Sequence, residues 1–359
     1  MRNMGGEQLE EAVAGAVALL RTATDRDWDG TRAGRLEWSC RYTTEHIASD
    51  LVAYAGQLAG RATEAYVPFE ITLDEGTGNE DVLQVIETAG ALLAATLRTT
   101  PRGVRAFHPY PHRSANREGF AAMGVAEVLL HTHDIAEGLG LAYEPPVELC
   151  TGVLARIFPH VRPGADPWRT LLWATGRGDL AGRAPVTEWR WRNNMVIPAG
   201  RLTLEGVTPA AATDLAAGGD GGFAWVDSGP FQGTRDASGA LLKSYETGTH
   251  RPVWGVFVLV REKDGRAVGG MGFHGPPDED GRVEIGYDLS EAARGNGYAT
   301  EALRALSAWA LARQDVTSVF ATTDPENTAS QAVIVRAGFA RVAAEDAEGG
   351  EQFAYELRG

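Results

Sequence analysis

The chain predicts two domains, an all-α bundle followed by an α/β unit, and three observations carry that fold class. Its 359 residues are more than one hydrophobic core usually holds. Four long segments with apolar residues at helical spacing fill residues 5 to 140. From Arg201 the pattern changes to short alternating strands and single helices. The boundary is placed between residues 196 and 197, inside the stretch Asn193 to Gly200.

In chain order, the helical segments are Glu7 to Trp28, Thr43 to Ala65, Glu80 to Thr99 and Glu118 to Leu141, with turn-rich connectors between them. Four in succession suggest an antiparallel bundle. Thr43 or Thr44 before Glu45, and Asn79 before Glu80 and Asp81, read as helix starts, because they put an acceptor and negative charge beside unpaired N–H groups. Gly138 and Gly140 supply the stop of the fourth helix. Shorter helices follow at Val147 to Val161 and Asp166 to Ala174, and the strict alternation Thr187 to Arg192 predicts a strand. In the second domain, Val253 to Arg261, Ala267 to Phe273 and Arg282 to Leu289 read as successive strands, with hairpin turns at Lys263-Asp264-Gly265 and Asp280-Gly281. Gly218 to Gly222 is a loop, and Thr300 to about Arg313 an amphipathic helix.

Composition narrows the function classes. The net charge of −15 is shared by both halves, which argues against nucleic acid or an anionic membrane as partner. Every basic residue except Lys243 and Lys263 is Arg, a bias expected of a GC-rich bacterial genome rather than of a function. Cys40 and Cys150 cannot make a disulfide framework or a Cys-x-x-Cys site, which suits the reducing cytoplasm. The apolar run Ala12 to Leu20 follows three glutamates and is too short to span a bilayer, so it reads as the buried face of the first helix.

Two constellations point to chemistry. Between the strand ending at Asp288-Leu289 and the helix from Thr300 lies Arg294-Gly295-Asn296-Gly297-Tyr298-Ala299. Glycines let backbone approach an anion, the first helical turn offers unpaired N–H groups, and Arg294 adds a fixed positive charge. In the first domain Glu127 and His131, four apart, share one helix face, and His46 on the second helix can reach the same point across the core. Such a His2Glu set leaves an open coordination position; the plainer reading is a local i, i+4 pair with His46 near a helix start. His133 points away from that face, whereas Asp134 shares it and can orient His131.

The loop, preceded by Glu-Ile-Gly-Tyr-Asp-Leu and followed by Asn327-x-x-Ser330 and Ala337-Gly338-Phe339, resembles the GCN5-related N-acetyltransferase (GNAT) superfamily over about residues 201 to 358. The resemblance implies a mixed central sheet, acetyl-CoA as cofactor and an amine as acceptor, either a small molecule or a protein N-terminus. It implies further that the backbone of Asp288 and Leu289 holds the pantetheine arm, that Arg294 to Ala299 with Thr300 hold the pyrophosphate, and that Asn327 and Ser330 lie beside the cofactor. The chemistry needs a base, for which Glu284 is the first candidate and His274 the second. A solvent-facing or Arg-paired strand carboxylate is the alternative for Glu284. Many family members carry a catalytic Tyr where this chain has Ile334; Ser330, Tyr287 or a water are the substitutes.

The stretches Glu37 to His46 and Glu127-Val-Leu-Leu-His131-Thr-His-Asp134 resemble the N-terminal domain of mycothiol-dependent maleylpyruvate isomerases, which belongs to the DinB-like bundles, over about residues 5 to 193. That resemblance implies zinc on His46, Glu127 and His131, activating the thiol of mycothiol. The leading expectation is therefore an acetyltransferase fused to a zinc-binding, thiol-transferase-like bundle. Its alternatives are thiol transfer or isomerisation at zinc as the main chemistry, or a bundle that only binds substrate or dimerises the chain.

Overall fold

The computed structural model describes residues 4–227, 229–342 and 352–359. The chain divides into two compact units, Met1–Asn193 and Asn194–Gly359.

The first unit is helical. Its helices are α1 (Gly6–Leu20), α2 (Cys40–Gly60) and α3 (Asn79–Thr99), then, after a two-residue pairing of β1 (Arg105–Ala106) with β2 (Ala115–Asn116), α4 (Arg117–Leu139), α5 (Val147–Ile157) and α6 (Pro167–Ala174). From Phe120 to Thr132 every residue of α4 is buried, because α4 is the central helix and has no solvent face. Its stop is Gly140 in the left-handed region, φ 67°; Gly138 lies inside the helix, where its Cα faces the Arg32 carbonyl.

Several expected boundaries move. The first helix ends at Leu20 in a 3-10 turn rather than at Trp28. The second starts three residues early, capped by the Ser39 hydroxyl accepting from the Tyr42 N–H, while the Thr43 and Thr44 hydroxyls bond back to Ser39 and Cys40 carbonyls. Asn79 does not cap α3; its amide donates to the Thr24 and Arg26 carbonyls, and Asp81 accepts from the Gly78 N–H. Thr187 to Arg192 makes no strand. Its alternation is real in burial, since Trp191 is buried and Arg190 exposed, yet no neighbouring strand is there to pair with it.

The second unit is a mixed sheet between two layers of helices. Its elements are β3 (Val196–Ala199), β4 (Leu202–Gly206), α7 (Pro209–Ala216), β5 (Ala224–Trp225), α8 (Gln232–Thr247), β6 (Val256–Arg261), β7 (Arg266–Phe273), β8 (Arg282–Leu289), α9 (Tyr298–Leu311), β9 (Ser318–Thr323), α10 (Thr328–Ala337), β10 (Ala340–Val342) and β11 (Phe353–Arg358). Among the described residues the strand order is β10-β11-β9-β8-β7-β6-β4-β3, with β5 beside β7. The β8–β9 and β5–β7 pairs are parallel and the rest antiparallel. One face packs Val283 and Ile285 against Leu303 and Leu306 of α9 and Ile334 of α10; the other packs Val258 and Ala267 against Leu215 of α7 and Leu241 of α8. Both α7 and α8 escaped the sequence reading, since α8 is polar along most of its length.

Candidate functional site

The sheet of the second unit splits at its centre. Strand β8 pairs with β7 along Ile285 to Leu289, but with β9 only at Arg282, Val283 and Glu284. Beyond Glu284 the two parallel strands part and β8 keeps one unpaired edge. The Glu284 carbonyl and the Ser290 N–H both bond to the β7 side, so by strand alternation the peptide groups of Ile285, Tyr287 and Leu289 face the gap.

The loop after β8 closes one end of this gap. Gly295 and Gly297 take φ of 74° and 84°, and a Cβ on Gly295 would meet nothing within 4 Å. The N–H groups of Gly295 to Thr300 find no acceptor among the described residues. Six unpaired amides at the start of a helix make a site for an anion. The loop is pinned from behind: Arg201 donates to the Asn296 carbonyl at 2.6 Å and to Glu301 at 3.0 Å, and stacks on Tyr298. The Asn296 side chain donates to the carbonyls of Ala293 and Arg294. Arg201 and Glu301 stand 100 positions apart, and nothing in the sequence pattern joins them.

Glu284 and His274 form a pair, with Nδ1 3.2 Å from Oε2, and the Thr322 hydroxyl donates to Oε1 at 3.1 Å. The His274 hydrogen bond outweighs burial and holds the Glu284 carboxyl below its ordinary range; the same bond raises His274. The glycine at 286 makes this possible, since a Cβ there would stand 2.8 Å from the His274 ring. The opposite face carries Tyr287, whose hydroxyl lies 3.0 Å from that of Ser330 in the first turn of α10. Asn327 caps that helix by accepting from the Ser330 N–H. Ile334 is buried at 1 % exposure and packs into the core with α9.

Asp288 differs from its expected role. Its peptide faces β7, and its carboxylate accepts from the Thr234 N–H and hydroxyl and from the Gly270 N–H at 2.7 to 2.8 Å. It fastens the start of α8 to the sheet, whereas Leu289 keeps its peptide on the gap.

In the first unit, ligand atoms of His46, Glu127 and His131 all lie within 4.8 Å of one another. Helix α4 presents Glu127 Oε2 3.2 Å from His131 Nε2. The other ring nitrogen of His131 is 3.1 Å from Asp134, which Arg177 holds in a forked contact. His46 comes from α2, its ring 5.1 Å from that of His131. His133 turns instead to Trp168.

Two residues of this cluster were missed. Asp50, one turn after His46, lies 3.3 Å from its Nε2, and Tyr54 donates to Glu127 Oε1 at 3.3 Å. Their spacing at 46, 50 and 54 is the signal that could have found them. Burial and the negative charge of Glu127 push the Asp50 carboxyl up to about 8. Burial also opposes ionisation of Glu127, but the hydrogen bond with His131 prevails and holds it low; burial lowers His46. Tetrahedral zinc, with bonds near 2.0 to 2.1 Å, sets its ligand atoms about 3.4 Å apart, so two imidazoles and an ionised carboxylate at this spacing fit such an ion with small side-chain shifts.

No helix among the described residues is long and apolar enough to cross a membrane.

Comparison with known proteins bears on the second unit. Residues 201–340 match the acetyltransferase (GNAT) domain family. The chain is 37% identical over 83 residues to the uncharacterized N-acetyltransferase YjdG of Bacillus subtilis, a match covering 23% of this chain and 49% of that protein. It is 37% identical over 73 residues to the uncharacterized N-acetyltransferase p20 of Bacillus licheniformis, covering 20% and 40%. The chain thus spans less than half the length of either curated relative. Among solved structures, an acetyltransferase from Agrobacterium tumefaciens is similar at 23% identity and a TM-score of 0.34, covering 50% of this chain and all of that one. The C-terminal part of this chain, with its split sheet and its loop of free amides, is a GNAT acetyltransferase domain.

Proposed function

We propose that the protein is an N-acetyltransferase that moves an acetyl group from acetyl-CoA to an amine, a small molecule or a protein N-terminus. The observation that carries this reading is the run of six unpaired amides from Gly295 to Thr300 at the end of a split strand. Arg294 and these amides would hold the pyrophosphate. The Leu289 peptide, and the start of α10 at Asn327 and Ser330, would line the arm that leads to the gap. Acetyl-CoA, when bound, supplies an activated thioester. Glu284, steadied by His274 and Thr322, accepts the proton of an ammonium acceptor approaching from the α7/α8 face. Ser330, paired with Tyr287, gives a proton toward the departing sulfur from the α9/α10 face, in the role that Ile334 cannot fill. Placing base and acid on opposite faces of one strand follows from the alternation of Glu284 and Tyr287. A screen of amine acceptors with thiol release as readout tests the reading; release that never exceeds the acceptor-free rate would sink it.

A second reading concerns the first unit, and the convergence of His46, Glu127 and His131 favours it. These residues would hold zinc, which would supply a Lewis acid able to lower the pKa of a bound thiol such as mycothiol. Asp134, 3.1 Å from His131 Nδ1, would fix the tautomer that leaves Nε2 free for the ion. The bundle would then be a DinB-like, thiol-handling module coupled to the acetyltransferase. Metal analysis of freshly purified protein decides the point, with absence of zinc counting against it.

A further inference from the structure

Beyond α6 the first unit carries a feature that neither acetyl transfer nor the metal cluster uses. The segment 187 to 192 borders a groove of about 590 Å3 lined by Arg162, Arg183, Arg190 and Arg192 and walled by Trp173 and Trp189. Glu188 is the one carboxylate on its lining, and none of the four arginines forms an ion pair among the described residues. Four guanidinium groups gathered around a single carboxylate that pairs with none of them repel one another, and in a chain of net charge −15 the rest of the sequence has carboxylates to spare.

The groove is also built for planar groups. The Arg183 guanidinium lies 4.8 Å over the Trp173 ring and also donates to the Arg162 carbonyl, so it is held in place. Arg190 lies 4.6 Å over Tyr110. Stacking of this kind fixes the plane of a guanidinium while leaving in-plane N–H donors for a carboxylate or phosphate. Desolvation and the neighbouring Arg192 push the His160 imidazole down to about 4, so the positive charge of the groove is that of its arginines. Both Trp173 and Trp189 are half-buried and keep part of their rings at the groove surface.

We propose that this groove binds a small planar organic anion, a carboxylate or phosphate ester on an unsaturated body, with the arginines on its oxygens and the tryptophans on its flat part. The groove shares Tyr110, Trp189 and Arg190 with a second cavity of about 880 Å3, which Asp50 and Tyr54 also line. Binding itself needs neither a metal nor acetyl-CoA.

Calorimetric titration of the full chain at low salt with phenyl phosphate, phthalate and neutral benzyl alcohol tests the proposal. At least one anion should bind saturably, with a dissociation constant of roughly 10 μM to 1 mM, and benzyl alcohol should bind at least about tenfold more weakly. Which anion binds separates phosphate esters from carboxylates. Arg183→Ala with Arg192→Ala should weaken binding about tenfold or more, the loss of a charge-assisted contact, and so should Arg190→Glu, an exposed position that leaves the core intact. Arg294→Ala, which removes a cation of the GNAT loop, should leave it unchanged. No saturation by either anion up to about 10 mM, equal binding of benzyl alcohol, unaltered affinity in Arg190→Glu, or loss in Arg294→Ala would each overturn the assignment.

Discussion

The hydroxyl of Tyr287 lies 3.0 Å from that of Ser330, and this contact ties the free half of β8 to the first turn of α10. Neither residue is remarkable in sequence, yet together they put two exchangeable protons beside the gap where many relatives use a tyrosine at the position of Ile334. If they work as one unit, Tyr287→Phe and Ser330→Ala should each lower kcat for acetyl transfer by roughly 10- to 100-fold. The double variant should be little worse than the poorer single one, because partners in one relay are not additive. Additive losses in steady-state assays would separate their roles.

The pair of Glu284 with His274 makes a prediction about pH. Hydrogen bonding from His274 keeps the Glu284 carboxyl low, against burial that raises it. In His274→Ala the lowering contact is gone and burial remains, so the carboxyl rises. The acidic limb of the kcat/KM profile should then move to higher pH, while Glu284→Gln should lose roughly 100-fold or more at every pH. An unshifted limb in His274→Ala would show that another group sets it.

Gly297 sits at φ 84° at the cap of α9. Gly297→Glu imposes a side chain on a left-handed residue and sets a negative charge where phosphate is expected, so acetyl-CoA affinity should fall by about 100-fold or more in calorimetry. Retained affinity would place the cofactor elsewhere.

Gly269 faces the Asp288 carbonyl, and an added Cβ would stand 2.2 Å from that backbone oxygen. Gly269→Ala should therefore part β7 from β8 and cost the second unit about 1 to 3 kcal/mol in denaturant unfolding. A loss confined to activity would instead mean that the strands adjust without cost.

Asp134 contacts no ligand atom of Glu127 or His46 and acts through His131 Nδ1. If the cluster holds zinc as proposed, Asp134→Ala should weaken its binding about 10- to 100-fold in competition with a chelator, while His46→Ala should abolish stoichiometric binding. Equal effects of the two would imply that Asp134 is itself a ligand.

The helices of the first unit were legible because their apolar residues recur at 3.6-residue spacing, and the acetyltransferase loop because its glycines, arginine and following helix are contiguous. Glu127 and His131 were legible for the same reason, being one helical turn apart. Boundaries at Ser39 and Leu20 were not, since a cap depends on which hydroxyl finds a free N–H, and three candidates stood within six residues at 39 to 44. Helix α8 was hidden by its polar surface.

By itself, then, the sequence determined local periodicity, the glycine loop that opens α9 and the two halves of the cluster on α2 and α4. Only the tertiary structure decided that β8 and β9 part after Glu284, that Asp288 anchors α8 instead of facing the gap, that Arg201 clamps Glu301, and that Thr187 to Arg192 borders a groove rather than joining a sheet. Each of these pairs residues that are distant along the chain or depends on a neighbouring strand being present or absent. Periodicity reports which face of an element is buried, and carries no information about what is packed against it.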